Sequence, residues 1–295
     1  MIAVHEIPLE RRTLHGHFSR DLEPVLAIDA GDSVALRALE SGWHTGPGVF
    51  FEPRDPELDG GHALIGPIEV RGARAGQTLA VRIDHVRPGE WGASPAGGFE
   101  RVLHWELDPD ERLGRDDRGR SIELRPFLGV LGMPPPEPGR HSTIPPRRSG
   151  GNIDCKELTA GSTLFLPIPV DGALFSAGDG HARQGDGEVG GWAIECPVVA
   201  ELNLDLRDDL SLDWPIARTP DAWLAFGFHE DLDSAAAIAT RGMVALMERE
   251  LGVEPEDALG LASVVVDLRI TQVVNGVKGV HAVLRHDAFR PLGAG

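Results

Sequence analysis

Glycine and proline interrupt this chain so often that it has room for many short strands and few long helices. The 37 glycines and 23 prolines exceed the usual share. Between them apolar and polar residues alternate with the period of a half-buried strand. VLAIDAGDSVALRALE (Val25 to Glu40) alternates about an Ala-Gly-Asp turn and Ile65 to Pro88 about Gly76, so both predict hairpins. SIELRPFLGVLG continues the pattern, STLFLPIPVDGALFSA predicts two strands joined at Val170-Asp171-Gly172, and WAIECPVVAELNLDL and WLAFGFH predict one strand each. Pro88 to Gly98 and Asp108 to Arg120 are turn-rich and charged, the second a solvated loop by its composition.

Helical spacing is clear late in the chain. AAAIATRGMVALMEREL repeats apolar residues at that spacing, with Asp233 or Ser234 placed to cap it and Gly252 to stop it. A shorter helix is predicted from Glu254 through Leu261, before the β-rich run Ser263 to Val274 and a closing strand, VHAVLRH. Strands that greatly outnumber helices define a β-rich α+β chain.

Met133 to Gly151, MPPPEPGRHSTIPPRRSGG, cannot be regular structure, because proline removes ladder donors and breaks helices. Strand patterns resume directly after it. We therefore expect a loop within one fold, packed over a pocket, rather than a linker between domains.

Charge excludes some partners. Forty-six acids against 28 Lys and Arg leave a formal charge of −18, a field that repels nucleic acid and anionic membrane surfaces. No basic amino-terminal region leads into an apolar core, and no apolar run approaches the roughly 18 residues that span a bilayer, so a cytoplasmic location is expected. Cys155 and Cys196 are too few for a disulfide framework or a zinc ribbon and are expected to be reduced and structural.

The stretch Gly178 to Glu188, GDGHARQGDGE, places ionisable residues on permissive backbone. A strand continued from Ala173 would set Phe175, Ala177, Asp179 and His181 on one face. With Asp186 and Glu188 in the following turn and Glu195 on the returning strand, the result is either a solvated hairpin or a cage for a divalent cation.

A longer pattern favours the second reading. GGNIDCKELTAGSTLFLPIPVDGALFSAGDGHARQGDGEVGGWAIE, Gly150 to Glu195, resembles the central signature of the acetamidase/formamidase family, metal-associated hydrolases of short linear amides. HGHFSRDLEPVLAIDAGDSVAL, HALIGPIEVRGARAGQTLAV and EDALGLASVVVDLRITQVVNGVKGVHAVL extend the resemblance over nearly the whole chain. It implies a β-sandwich-like core with an added α+β portion and one domain over residues 1–295 with the 133–151 loop inside it. It also implies a homo-oligomer acting on a small amide.

Amide hydrolysis needs a strong nucleophile, a stabilised oxyanion and a protonated leaving amine. A divalent metal, zinc first among the ions expected, supplies the first two, and a carboxyl group moves the protons. The candidate ligands are His62, Asp154 and His181, with Asp179 binding directly or orienting an imidazole. Glu195 is the candidate proton-transfer group with Glu188 in reserve, and Asn152 or the amides of Gly150 and Gly151 are candidate oxyanion donors. Cys155 has only Lys156 beside it in sequence to lower its pKa, and no serine lies in a nucleophile motif, so neither is expected to attack. The competing reading is a non-enzymatic β-sandwich module that holds a structural calcium and binds carbohydrate. The histidines among the carboxylates speak against it, since calcium prefers oxygen ligands.

Overall fold

The computed structural model describes residues 3–96 and 100–289. Its strands form two large sheets. The first has nine strands, in the order Val4–Ile7, Ser33–Ala38, Val198–Arg207, Thr78–Pro88, Thr163–Pro167, Ile216–Arg218, Ala222–His229, Lys278–Arg285 and Val266–Gln272. The second runs from Ser121–Glu123 through Leu113–Asp116, Arg101–Asp108, Trp91–Ala96, Ile194–Glu195, Phe175–Arg183 and Phe127–Gly132 to Gly150–Asn152. Leu64–Val70 joins it on Phe175–Arg183 and also pairs Leu14–His15 and Leu26–Ile28.

Both predicted hairpins are crossings between sheets. Leu26–Ile28 and Leu64–Val70 belong to the second sheet, while Ser33–Ala38 and Thr78–Pro88 belong to the first. Alternation and a glycine turn fix where strands start and stop, but they leave the pairing partner open. WAIECPVVAELNLDL likewise divides. Ile194–Glu195 lies in the second sheet and Val198–Arg207 in the first, with Pro197, which has no backbone N–H, at the break. Two stretches read as loops contain strands, Trp91–Ala96 and Leu113–Asp116. Gly98 falls outside the described residues.

Apolar residues pack between the sheets and again beneath the helices. Val81, Ile83, Leu202 and Leu204 of the first sheet meet Ile65, Ile68, Leu131 and Phe175 of the second in one buried cluster. On Ala222–His229 the alternation separates Leu224, Phe226 and Phe228, which belong to that cluster, from Ala225, which joins Met243, Met247 and Ala282 under the long helix. One sheet thus serves two cores, and the architecture is a β-rich α+β fold in which a sandwich-like core carries a helix-covered extension. Each fully buried large apolar side chain contributes about 1.5–3 kcal/mol.

The long helix spans Leu232–Leu251 and is capped by Asp231, two positions before the earlier of the expected caps. The Asp231 carboxylate accepts from Ser234 N at 2.8 Å, a bond worth about 1 kcal/mol. Gly252, at φ 65°, ends the helix as expected. The second helix, Pro255–Val265, extends past the predicted Leu261, so strand begins at Val266. Ser263 Oγ returns to Leu259 O within this last turn.

The proline-rich segment is mostly irregular and leads into Gly150–Asn152, the strand at one end of the second sheet. It is tied down by the Phe18–His141 bridge, and its Ile144 lines a large cavity.

Candidate active site

Antiparallel register brings the signature's acids to its histidine. Phe127, His181 and Glu195 stand opposite one another on neighbouring strands, and Glu195 in turn faces Ala93. Directly opposed residues share a face, so the His181 imidazole and the Glu195 carboxylate point the same way. His181 Nε2 lies 3.2 Å from Glu195 Oε1 and 3.3 Å from Asp179 Oδ1, all three side chains being buried. The Phe127 ring packs edge-on against the imidazole at 4.9 Å.

The regular alternation predicted for Phe175 to His181 fails at one residue. Asp179 has φ 61°, and Asp154 and Glu188 have φ 51° and 46°, so three buried carboxylates sit in the left-handed region. Such backbone costs about 1–3 kcal/mol at a non-glycine residue and persists where surrounding structure holds it. Gly129 provides the space beneath them: a Cβ there would stand 2.7 Å from Asp154 Oδ1 and 2.9 Å from His181 Cε1, and closer still to Asp179.

The GDGE turn is docked rather than solvated. Gly187 donates to Ile270 O at 2.9 Å and accepts from Val273 N at 3.1 Å, which seats Glu188 in the interior against the carboxyl-terminal extension. From that extension Asn275 Nδ2 donates to Asp154 Oδ2 at 2.7 Å, and Gln184 Nε2 donates to Asp154 O at 2.7 Å. Ligand atoms of Asp154, His181 and Glu188 lie within 4.8 Å of one another, as do those of Asp179, His181 and Glu195.

Four buried carboxylates around one imidazole have far-reaching electrostatic consequences. Burial, then the neighbouring Glu188 and Asp179 charges, pushes the Asp154 carboxyl well above the usual range. Burial also raises Glu188, to about 8, and raises Glu195. Asp179 moves the other way, to about 2, because the charges of His181 and His62 outweigh its burial. Burial alone would lower His181, but Glu195 and Asp179 hold it well above the ordinary imidazole value. Among the described residues, Asp154 Oδ1, Asp179 Oδ1, Asn152 Oδ1 and His181 Nδ1 are buried without a hydrogen-bond partner. Unpaired oxygens, an unpaired imidazole nitrogen and excess buried negative charge are what a divalent cation satisfies. The residues present therefore fit the expected metal.

The structure sorts the other expected residues. His62 lines the cavity, with its Nδ1 2.7 Å from Thr143 Oγ1. Asn152 lines it as well. Gly150 and Gly151 do not: the Gly150 amide is spent on Arg147 O at 3.1 Å, so it is not positioned as an oxyanion donor. Asp186 pairs with Lys156 at 2.7 Å, away from the other acids. The Cys155 thiol is buried, donates to Glu157 Oε2 at 3.3 Å, and is pushed well up by burial and the Glu157 charge, the reverse of an activated nucleophile.

Sequence reasoning did not find Ser41, whose hydroxyl donates to Glu195 Oε2 at 2.9 Å, nor Asn275, Gly129 and the buried Glu40. Ser41, Asn275 and Gly129 lie far along the chain from the site residues they meet, and the Glu40 carboxylate is engaged locally by Gly42 N and His44 N. Glu188 in the turn and Glu195 on the returning strand are legible as acids of the signature; the hydroxyl on Glu195 and the amide on Asp154 are not.

The cavity at this cluster measures about 880 Å³ and is bounded by the Trp91–Ala96 and Arg101–Asp108 strands, Ile144 and the loop around Gly42. Among the described residues no helix is long and apolar enough to cross a membrane.

Comparison with known proteins agrees with this architecture. Residues 137–289 match the Acetamidase/Formamidase family. An acetamidase of Mycolicibacterium smegmatis is 48% identical over 65 residues, 22% of this chain and 16% of that protein. A relative in Schizosaccharomyces pombe is 25% identical over 75% of this chain and 74% of its own length. The crystal structure of acetamidase from Yersinia enterocolitica superposes with a TM-score of 0.86 at 24% identity, covering 98% of this chain and 94% of that one. That from Bacillus halodurans gives 0.82 at 24% identity over 97% of each. Fold, buried acid–histidine cluster and sequence match define a β-rich amidohydrolase of linear amides. The chain belongs to the acetamidase/formamidase family. A non-enzymatic binding module is not favoured.

Proposed function

We propose that the chain hydrolyses a linear amide to a carboxylic acid and ammonia with the help of a divalent metal, zinc first among the candidates, held by Asp154, His181 and Glu188. The observation that carries this reading is the set of unpaired buried donor atoms on Asp154 and His181, beside Glu188, at the floor of the cavity. A bound divalent cation supplies a nucleophile near neutral pH and polarises the carbonyl.

The chain's own residues supply the rest. Glu195 already accepts from Ser41 Oγ and Ala193 N and faces His181 Nε2. That engages three of the roughly four acceptor positions of a carboxylate and leaves one for a proton. Glu195 takes the proton released as the water oxygen bonds to the carbonyl carbon, then returns it to the nitrogen as the C–N bond breaks. Asp179 Oδ1 lies beside the same His181 Nε2, so the two carboxylates together favour the tautomer that carries its proton there and leave Nδ1 free. Asn152 presents an amide whose donor and acceptor match the carbonyl and N–H groups of the substrate amide. His62 lines the cavity, held by its Nδ1 contact to Thr143 Oγ1, where its ring can meet the substrate.

Metal analysis of the purified protein, with ammonia release measured on formamide, acetamide, propionamide and phenylacetamide before and after chelation, tests this reading. We expect near-stoichiometric divalent metal and turnover that falls on chelation and returns on adding metal. Full activity in a metal-free protein would remove the metal from the mechanism, and no ammonia from any of the four would remove the amidase reading.

A further inference from the structure

One face of the second sheet continues from the acid–histidine cluster onto an apolar wall. His181 opposes Glu195, Glu195 opposes Ala93, and Ala93 opposes His104, so these four side chains form a cross-strand row. Adjacent strands lie about 4.8 Å apart. The row therefore moves from a charged centre to a methyl group within one strand spacing. Residues two positions away share that face. Trp91 and Pro95 flank Ala93 on its own strand, and Val102, which opposes Pro95, flanks His104 on the next. Trp91, Ala93, Pro95 and Val102 all line the cavity, where small Ala93 makes a hollow between larger apolar neighbours.

The wall is fixed relative to the acid. Trp105 Nε1 donates to Ser94 Oγ at 3.2 Å, and Ser94 Oγ donates to Ala193 O at 2.8 Å. Ala193 N in turn donates to Glu195 Oε1 at 3.1 Å. This relay holds the hairpin in register with the carboxylate, so the hollow keeps a set distance from it.

The cavity is far larger than a two-carbon amide requires. Its volume of about 880 Å³ lies in the range that takes drug-sized ligands, roughly 300–1,000 Å³. From these observations we infer that the amide hydrolysed here carries a bulky apolar acyl group, aromatic in the best case, seated on Ala93 between Trp91 and Val102, with the amide carbon over His181 and Glu195. The inference rests on the amidase reading above and names its substrate class. A ring placed on this wall leaves water and meets the Trp91 indole, whereas the methyl group of acetamide leaves most of the wall wet.

The test compares kcat/KM for phenylacetamide and acetamide, by ammonia release, in the metal-loaded protein and in two variants. Phenylacetamide is expected to exceed acetamide by about 100-fold, the order of effect of burying one aromatic side chain. Trp91→Ala and Val102→Asp should each lower the phenylacetamide-to-acetamide ratio at least tenfold. The second variant keeps the wall's bulk and serves if the first folds poorly. Acetamide turned over as well as or better than phenylacetamide would overturn the inference and leave the amidase reading standing, and so would a ratio unchanged in both variants. No ammonia from either amide would overturn both.

Discussion

Asn275 donates from Nδ2 to Asp154 Oδ2 at 2.7 Å, joining residues 121 positions apart. Asp154 belongs to the central signature, whereas Asn275 lies between the strands Val266–Gln272 and Lys278–Arg285 of the helix-covered extension. The extension therefore completes the site. Replacing Asn275 by alanine frees the Asp154 carboxylate to turn and leaves it unpaired. Outer partners of metal-holding residues typically matter by 10–100-fold in metal affinity or activity, so Asn275→Ala should weaken metal retention by about that factor. Equilibrium dialysis against a chelator reads it, and wild-type retention would separate the extension from the site.

Gly129 has no room for a side chain. An added Cβ would press on Asp179, Asp154 and His181 together. Gly129→Ala should cost about 1–3 kcal/mol of stability as the neighbours shift, and it should reduce amide turnover at least 100-fold, since misplacement by about an ångström has that effect. Urea unfolding and steady-state kinetics on the same sample check both halves. Normal turnover would mean that the three side chains need not hold this geometry.

Cys155 makes the opposite case. Its thiol is held protonated by burial and by Glu157. Cys155→Ser keeps a hydroxyl able to donate to Glu157, so turnover should remain within a few-fold of the parent. Complete loss in a folded variant would bring back a thiol mechanism.

His15 ties acid sensitivity to a position outside the cluster. Its Nδ1 lies 2.7 Å from His17 O and its Nε2 3.0 Å from Ser176 Oγ, and burial lowers its pKa to about 4 from 6.5. The unfolded chain binds a proton here below about pH 6.5 while the folded chain stays neutral until about pH 4. Stability contributed by this site is therefore present above pH 6.5 and lost as pH falls through that window. The loss reaches about 2 kcal/mol by pH 5. Urea midpoints at pH 7 and pH 5 should fall more steeply in the parent than in His15→Gln. Equal slopes would contradict the assignment.

The sequence made the fold class readable because alternation and glycine turns report strands directly. It did not reveal which sheet each strand enters: Ser33–Ala38 and Thr78–Pro88 lie in a different sheet from the strands before them. Pairing is a tertiary choice that local pattern does not encode. Trp91–Ala96 escaped notice because glycine, proline and small residues dilute its β signal, yet it forms the cavity wall. In the site, His181, Asp179, Glu188, Glu195 and Asp154 were legible as ionisable residues in a glycine-rich signature. Ser41 and Asn275 are ordinary polar residues in remote loops, and only the folded register brings them to the acids.

The central claim is that Glu195 moves the proton while Glu188 helps to hold the metal. Measuring kcat and metal stoichiometry together on Glu195→Gln and Glu188→Gln tests it most directly. Glutamine nearly preserves shape but cannot take up the proton. The account predicts that Glu195→Gln retains metal and loses turnover by roughly 10²–10⁴-fold, the usual effect of general acid–base catalysis. Glu188→Gln should lose metal, and added metal should partly restore its rate. A Glu195→Gln protein that turns over normally, or a metal-replete Glu188→Gln protein that alone is slow, would contradict the account.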